Sequence, residues 1–172
     1  MTSVNFKNLK EFVFNSFIAM GLNKIDAEIF SDALMFSELR FHSGQGQGVQ
    51  RITTYYKRIK NKEVNVNSEY EIIKESSSLA LVDAKNGIGT VQASKCMEIA
   101  INKAKKEGIG KVIIKNSTHF GSSSVHAVKA SKENCIGVVY TNAGPEMAPW
   151  GSKSGGVGTN PWGISCPTGK GF

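Results

Sequence analysis

The hydrophobic pattern changes period near residue 70, and that change restricts the fold more than any other feature of the chain. Before it, Phe6, Leu9, Phe12, Val13, Phe17 and Met20 recur at three- and four-residue steps, the spacing of an amphipathic helix. Gly21 stands where a helix-terminating glycine belongs. Asn23, with Asp26 three residues on, predicts the N-cap of a second helix whose stripe runs through Ala27, Phe30, Ala33 and Leu34 toward Leu39. Glycines within 41–48 interrupt it, and Val49, Ile52, Tyr55, Tyr56 and Ile59 predict a third helix. Beyond residue 70, short apolar runs at 70–74, 79–83, 111–115, 135–140 and 162–166 predict strands. Between them lie a helical stripe over 90–107, with Thr90 as its N-cap and Gly108 at its end, and a shorter helix from near Ser122. The expected class is α/β, with a helical region over 1–75 and an α/β domain over 76–172.

Composition narrows the function classes. About 40% of the 172 residues are apolar and 20% charged, which excludes a disordered chain. Three cysteines without a CxxC pair fit a reducing cytoplasm. No apolar run approaches the roughly 20 residues of a membrane span, and Lys7, Lys10 and Glu11 break any secretory leader. The net charge of +7 is uneven: residues 1–75 hold 10 basic and 9 acidic groups, residues 76–172 hold 11 and 5. Such an excess suits an anionic ligand or nucleic acid. Eighteen of the 21 basic residues are lysine, however, without the arginine and exposed aromatics of a base-reading surface. A nucleic-acid partner is not expected.

Leu79–Gln92 runs from a strand through Gly87 and Gly89 toward a helix, but Gln92 stands where a dinucleotide fingerprint needs its third glycine. A Rossmann sheet is therefore not expected. Gly169-Lys170 lacks the glycine and hydroxyl of a phosphate loop. His119 and His126 lie seven apart and no ligand pair has zinc spacing, so no metal is expected. Asn116–Ser124 is more informative: a strand ends, His119 follows, then Gly121 and three serines open a helix. Free N–H groups there suit an anion, and a histidine beside them suits proton transfer. A plain loop histidine beside a serine cap explains the segment equally well.

Taken together, the motifs resemble the type-2 malate/L-lactate dehydrogenase family. The resemblance is carried by Gly48-Val49-Gln50-Arg51 with Tyr55, Val82-Asp83 before Gly87-Ile88-Gly89, and Ala104-Lys105 before Gly108-Ile109-Gly110. It continues through Asn116 with His119-Phe120-Gly121, then Thr141-Asn142, Ala148-Pro149-Trp150-Gly151 and Gly158-Thr159-Asn160-Pro161. It implies an N-terminal helical layer closing over a mixed-sheet, non-Rossmann domain. It also implies hydride transfer between NAD or NADP and a small 2-oxo or 2-hydroxy acid, usually in a homodimer. By resemblance Arg51 clamps the substrate carboxylate, with Gln47 and Tyr55 beside it. Phe120, Gly121, Ser122, Ser123, Asn142, Ala143, Thr159 and Asn160 face the cofactor.

One position departs from the family pattern. Gln47 stands where the family carries a histidine, and an amide cannot exchange a proton near neutrality. His119 is then the first candidate for proton transfer and His42, upstream in a longer loop, the second. The altered loop also suits a non-catalytic ligand- or partner-binding remnant of the scaffold. Residues 142–172 hold 8 of the 18 glycines, all four prolines and both tryptophans, and a glycine-rich turn at the end reads as a cut edge. The α/β domain is therefore expected to be incomplete at its C-terminus, and the isolated chain inactive.

Overall fold

The computed structural model of the chain describes residues 3–40 and 47–169. Three helices come first. α1 (Phe6–Ala19) is capped by the Asn5 side chain, which accepts from the Lys7 and Asn8 N–H groups. It buries Val13 and Phe17, and Gly21 follows with φ at 94°, a conformation that favours glycine. α2 (Lys24–Leu39) starts at Asn23, whose side chain accepts from the Asp26 N–H at 2.9 Å. α3 (Arg51–Lys60) sends only Tyr55 fully into the core. The Phe17 and Phe30 rings stack at 4.2 Å, and Phe30 meets Tyr55 edge-on at 4.5 Å. Those rings form one cluster with Leu22, Leu34 and, from the other half of the chain, Ile88 and Val91.

The remainder alternates as expected. β1 (Glu71–Glu75) pairs antiparallel with β2 (Leu79–Asp83), which pairs parallel with β3 (Lys111–Lys115). α4 (Gly89–Glu107) joins β2 to β3 and ends at Gly108, φ 82°. α5 (Ser123–Lys132) leads to β4 (Gly137–Tyr140), which pairs antiparallel with β5 (Trp162–Ser165). The two sheets have the orders β1-β2-β3 and β4-β5. β3 and β4 therefore each have a strand neighbour on one side, and both line a cleft of ≈ 1980 Å³. The mixed α/β architecture agrees with the expected class, with strand ends shifted by one or two residues.

One capping expectation is corrected. The N-cap of α4 is Ile88, and Thr90 lies inside the helix, 2% exposed. The reason is tertiary: the Gly89 N–H finds the Thr118 hydroxyl at 3.0 Å, and that hydroxyl donates to the Gly87 carbonyl at 2.9 Å. The basic excess is also less free than the sequence suggests. Lys95 pairs with the buried Asp26 at 2.6 Å, Lys103 with Glu75 at 2.8 Å, and Lys105 with Glu133. Among the described residues, no helix is long and apolar enough to cross a membrane.

Candidate active site

Two strand-to-helix turns meet at the site. The β2–α4 turn is packed so tightly that a Cβ on Gly89 would lie 2.0 Å from the Thr118 carbonyl oxygen and 2.6 Å from that of His119. A Cβ on Gly87 would lie 2.7 Å from the Gln92 amide nitrogen. That amide donates to the Ser68 carbonyl at 3.0 Å, so the side chain in the third-glycine position braces the turn from within. Thr118 and the two glycines thereby fix the backbone on which His119 rides.

His119 is half-buried and held by Tyr55. The Tyr55 hydroxyl lies 3.0 Å from the His119 carbonyl oxygen and 3.2 Å from its Nδ1. A carbonyl only accepts, so Tyr55 donates its single proton there and accepts from Nδ1–H. The neutral ring then carries its free lone pair on Nε2. Burial first, then the charges of Arg51 and Arg58, lower the His119 pKa to about 4. Burial likewise raises the pKa of Tyr55, keeping the phenol protonated. At neutral pH the His119 imidazole is uncharged.

A second histidine sets the following turn. His126 of α5 is 0% exposed, with Nε2 2.8 Å from the Phe120 carbonyl oxygen and Nδ1 3.3 Å from the Ser94 hydroxyl. The carbonyl requires Nε2–H, so Nδ1 accepts from Ser94. Burial lowers this ring's pKa to about 4 as well. Phe120 stacks on it at 5.2 Å, and Gly121 turns with φ at 80°. α5 begins at Ser122 with no side-chain cap; the Ser122 and Ser124 hydroxyls pair with each other at 2.8 Å.

The cleft between the sheets opens onto this corner. Gln47, Arg51, Arg58, His119, Phe120 and Gly121 all line it. The profile of the family described as malate/L-lactate dehydrogenase matches residues 4–172. The chain belongs to that family. It is 38% identical to the malate dehydrogenase of Pyrococcus abyssi over 95% of this chain and 45% of that protein. With the L-sulfolactate dehydrogenase of Methanocaldococcus jannaschii it shares 34% identity over 92% and 46%. The solved malate dehydrogenase of Pyrococcus horikoshii superposes with a TM-score of 0.92 at 36% identity, covering 97% of this chain and 47% of that one. The chain thus spans about half the length of the relatives it matches.

The structure brings together some of the residues singled out from the sequence and separates others. Arg51, Gln47 and His119 share the cleft, as do Phe120, Gly121, Asn142, Ala143 and Thr159. Tyr55 is 2% exposed and reaches the site only through its hydroxyl on His119. Ser123 lies against β5, where a Cβ on Gly163 would come within 2.8 Å of its hydroxyl. The Asn160 side-chain oxygen accepts from the Ala143 N–H at 2.9 Å, closing a turn. His42 lies outside the described residues. Sequence reasoning missed Thr118 and Ser94, whose contacts are purely tertiary. It also missed Arg58, although its place seven residues after Arg51 was a legible signal. Among the described residues, no group of three or more His, Cys, Asp or Glu side chains could hold a metal ion.

Proposed function

We propose that this chain carries the proton-transfer and carboxylate-binding half of a nicotinamide-dependent 2-hydroxy acid dehydrogenase, in which His119 is the catalytic base and acid. The observation that carries this reading is the Tyr55–His119 pair: it leaves a neutral imidazole with its lone pair on Nε2 in a cleft that also holds Arg51. Arg51 clamps the substrate carboxylate with two parallel hydrogen bonds. Nε2 then takes the hydroxyl proton of the 2-hydroxy acid, or returns it to the oxygen of the 2-oxo acid. Binding an anion beside Arg51 and Arg58 offsets the charges that lower the His119 pKa, so substrate itself raises the proton affinity needed for reduction. Gln47 donates a hydrogen bond to the same substrate and exchanges no proton.

The cofactor would rest against residues 76–172, with the helical region 1–75 closing the site. NAD or NADP fits the uncapped first turn of α5 beside Phe120 and Gly121, because free N–H groups at a helix start attract phosphate. When bound, the nicotinamide accepts or returns the hydride at substrate C2. The three free cysteines suit a cytoplasmic enzyme. A homodimer follows from the family resemblance.

The 172-residue chain alone is expected not to turn over substrate, since it spans about half of its relatives. The test joins it to the remaining length of the P. horikoshii malate dehydrogenase and follows NAD(P)H-linked reduction of oxaloacetate and pyruvate. His119→Ala should lower kcat by about 10²–10⁴-fold. Turnover unchanged by that substitution removes His119 from the mechanism.

A further inference from the structure

Arg58 has no assigned part in binding or in chemistry. It follows Arg51 by two helical turns on α3, so both stems leave one face of the helix. It lines the same cleft as Arg51, Gln47 and His119. Arg58 is half-buried, and among the described residues its guanidinium has no ion pair and no side-chain hydrogen bond. Its neighbours at the end of α3, Lys57 and Lys60, carry the same sign. An unpaired guanidinium lining a cleft is a natural partner for an anionic group.

We propose that Arg58 is a specificity-determining residue that holds the second anionic group of a 2-hydroxy acid whose own carboxylate sits on Arg51. The pocket then selects dianionic acids, with a carboxylate or sulfonate at the far end, over monoanionic ones. Arg58 lines the cleft together with His119, and its charge lowers the proton affinity of both His119 and Tyr55. The dianion also neutralises both charges that keep His119 deprotonated, so binding and proton delivery are linked. This inference rests on the dehydrogenase reading.

The test titrates the His119 ring resonances of the 172-residue chain with L-malate and with L-lactate, in the unsubstituted protein, Arg58→Gln and Arg58→Lys. Malate affinity should fall about tenfold to a hundredfold in R58Q, lactate affinity should change less than about twofold, and R58K should keep the preference for malate. Among the described residues Arg58 makes no side-chain hydrogen bond or ion pair, so circular dichroism of both variants should match the parent. Malate affinity unchanged in R58Q, or lost equally with lactate, overturns the assignment and leaves the dehydrogenase reading standing. Loss of NADH or NADPH binding in place of malate binding assigns Arg58 to the cofactor and overturns it too. Failure of the unsubstituted chain to bind either acid overturns the reading and the inference together.

Discussion

Tyr55→Phe isolates one hydroxyl at the junction of core and site. The ring itself keeps its place, because its edge-on contact with Phe30 at 4.5 Å and its burial in the helical cluster do not involve the oxygen. What disappears is the donation to the His119 carbonyl at 3.0 Å and the acceptance from Nδ1 at 3.2 Å. Each of the two bonds contributes about 1 kcal/mol net, and a half-buried carbonyl left without this partner adds a penalty of similar size, so the loss should be about 3 kcal/mol. Urea unfolding followed by circular dichroism measures it. The same variant should release the His119 tautomer, which ¹⁵N shifts of the ring nitrogens report: one fixed Nδ1–H form in the parent, a mixture in Y55F. A stability change under about 0.5 kcal/mol, with an unaltered tautomer, would show that Tyr55 merely fills space.

Two further outcomes follow from the same geometry. Gly89→Ala places a methyl against two backbone oxygens that cannot retreat without moving His119; destabilisation of about 3 kcal/mol is expected, with displaced His119 resonances, and a neutral substitution would mean that the turn is loose. His119 and His126 both have proton affinities lowered to about 4 from an ordinary 6.5. Between those values the unfolded chain binds more protons than the folded one. Stability is therefore complete above about pH 6.5 and declines as pH falls toward 4, with His126 alone accounting for about 2 kcal/mol by pH 5; urea midpoints flat from pH 7 to 5 contradict this.

Local pattern reached the elements but not their joins. Helical stripes, the Asn23 cap, Gly108 and most strands were legible because each is set by neighbours a few residues away. Thr90 was misplaced as a cap because the true partner of the Gly89 N–H is Thr118, 29 residues on. The turn and helix start of Asn116–Ser124 were visible, whereas the hydrogen bonding of His119 was not: that depends on Tyr55, 64 residues earlier in the chain. His126 read only as a failed metal ligand, since nothing near it in sequence announces Ser94. Arg58 was overlooked for a different reason. Its spacing from Arg51 on α3 was legible, but its lack of a hydrogen-bond partner among the described residues is a tertiary fact that the sequence does not carry.

The free sides of β3 and β4 carry a practical consequence. Both present backbone N–H and C=O groups toward one cleft over five and four residues, while Ile113, Val138 and Tyr140 stand exposed on the same strands. Such rims template strand addition, and proteins usually blunt them with charge, proline or a covering segment. On its own, this polypeptide is therefore expected to self-associate as its concentration rises, which light scattering over a dilution series measures.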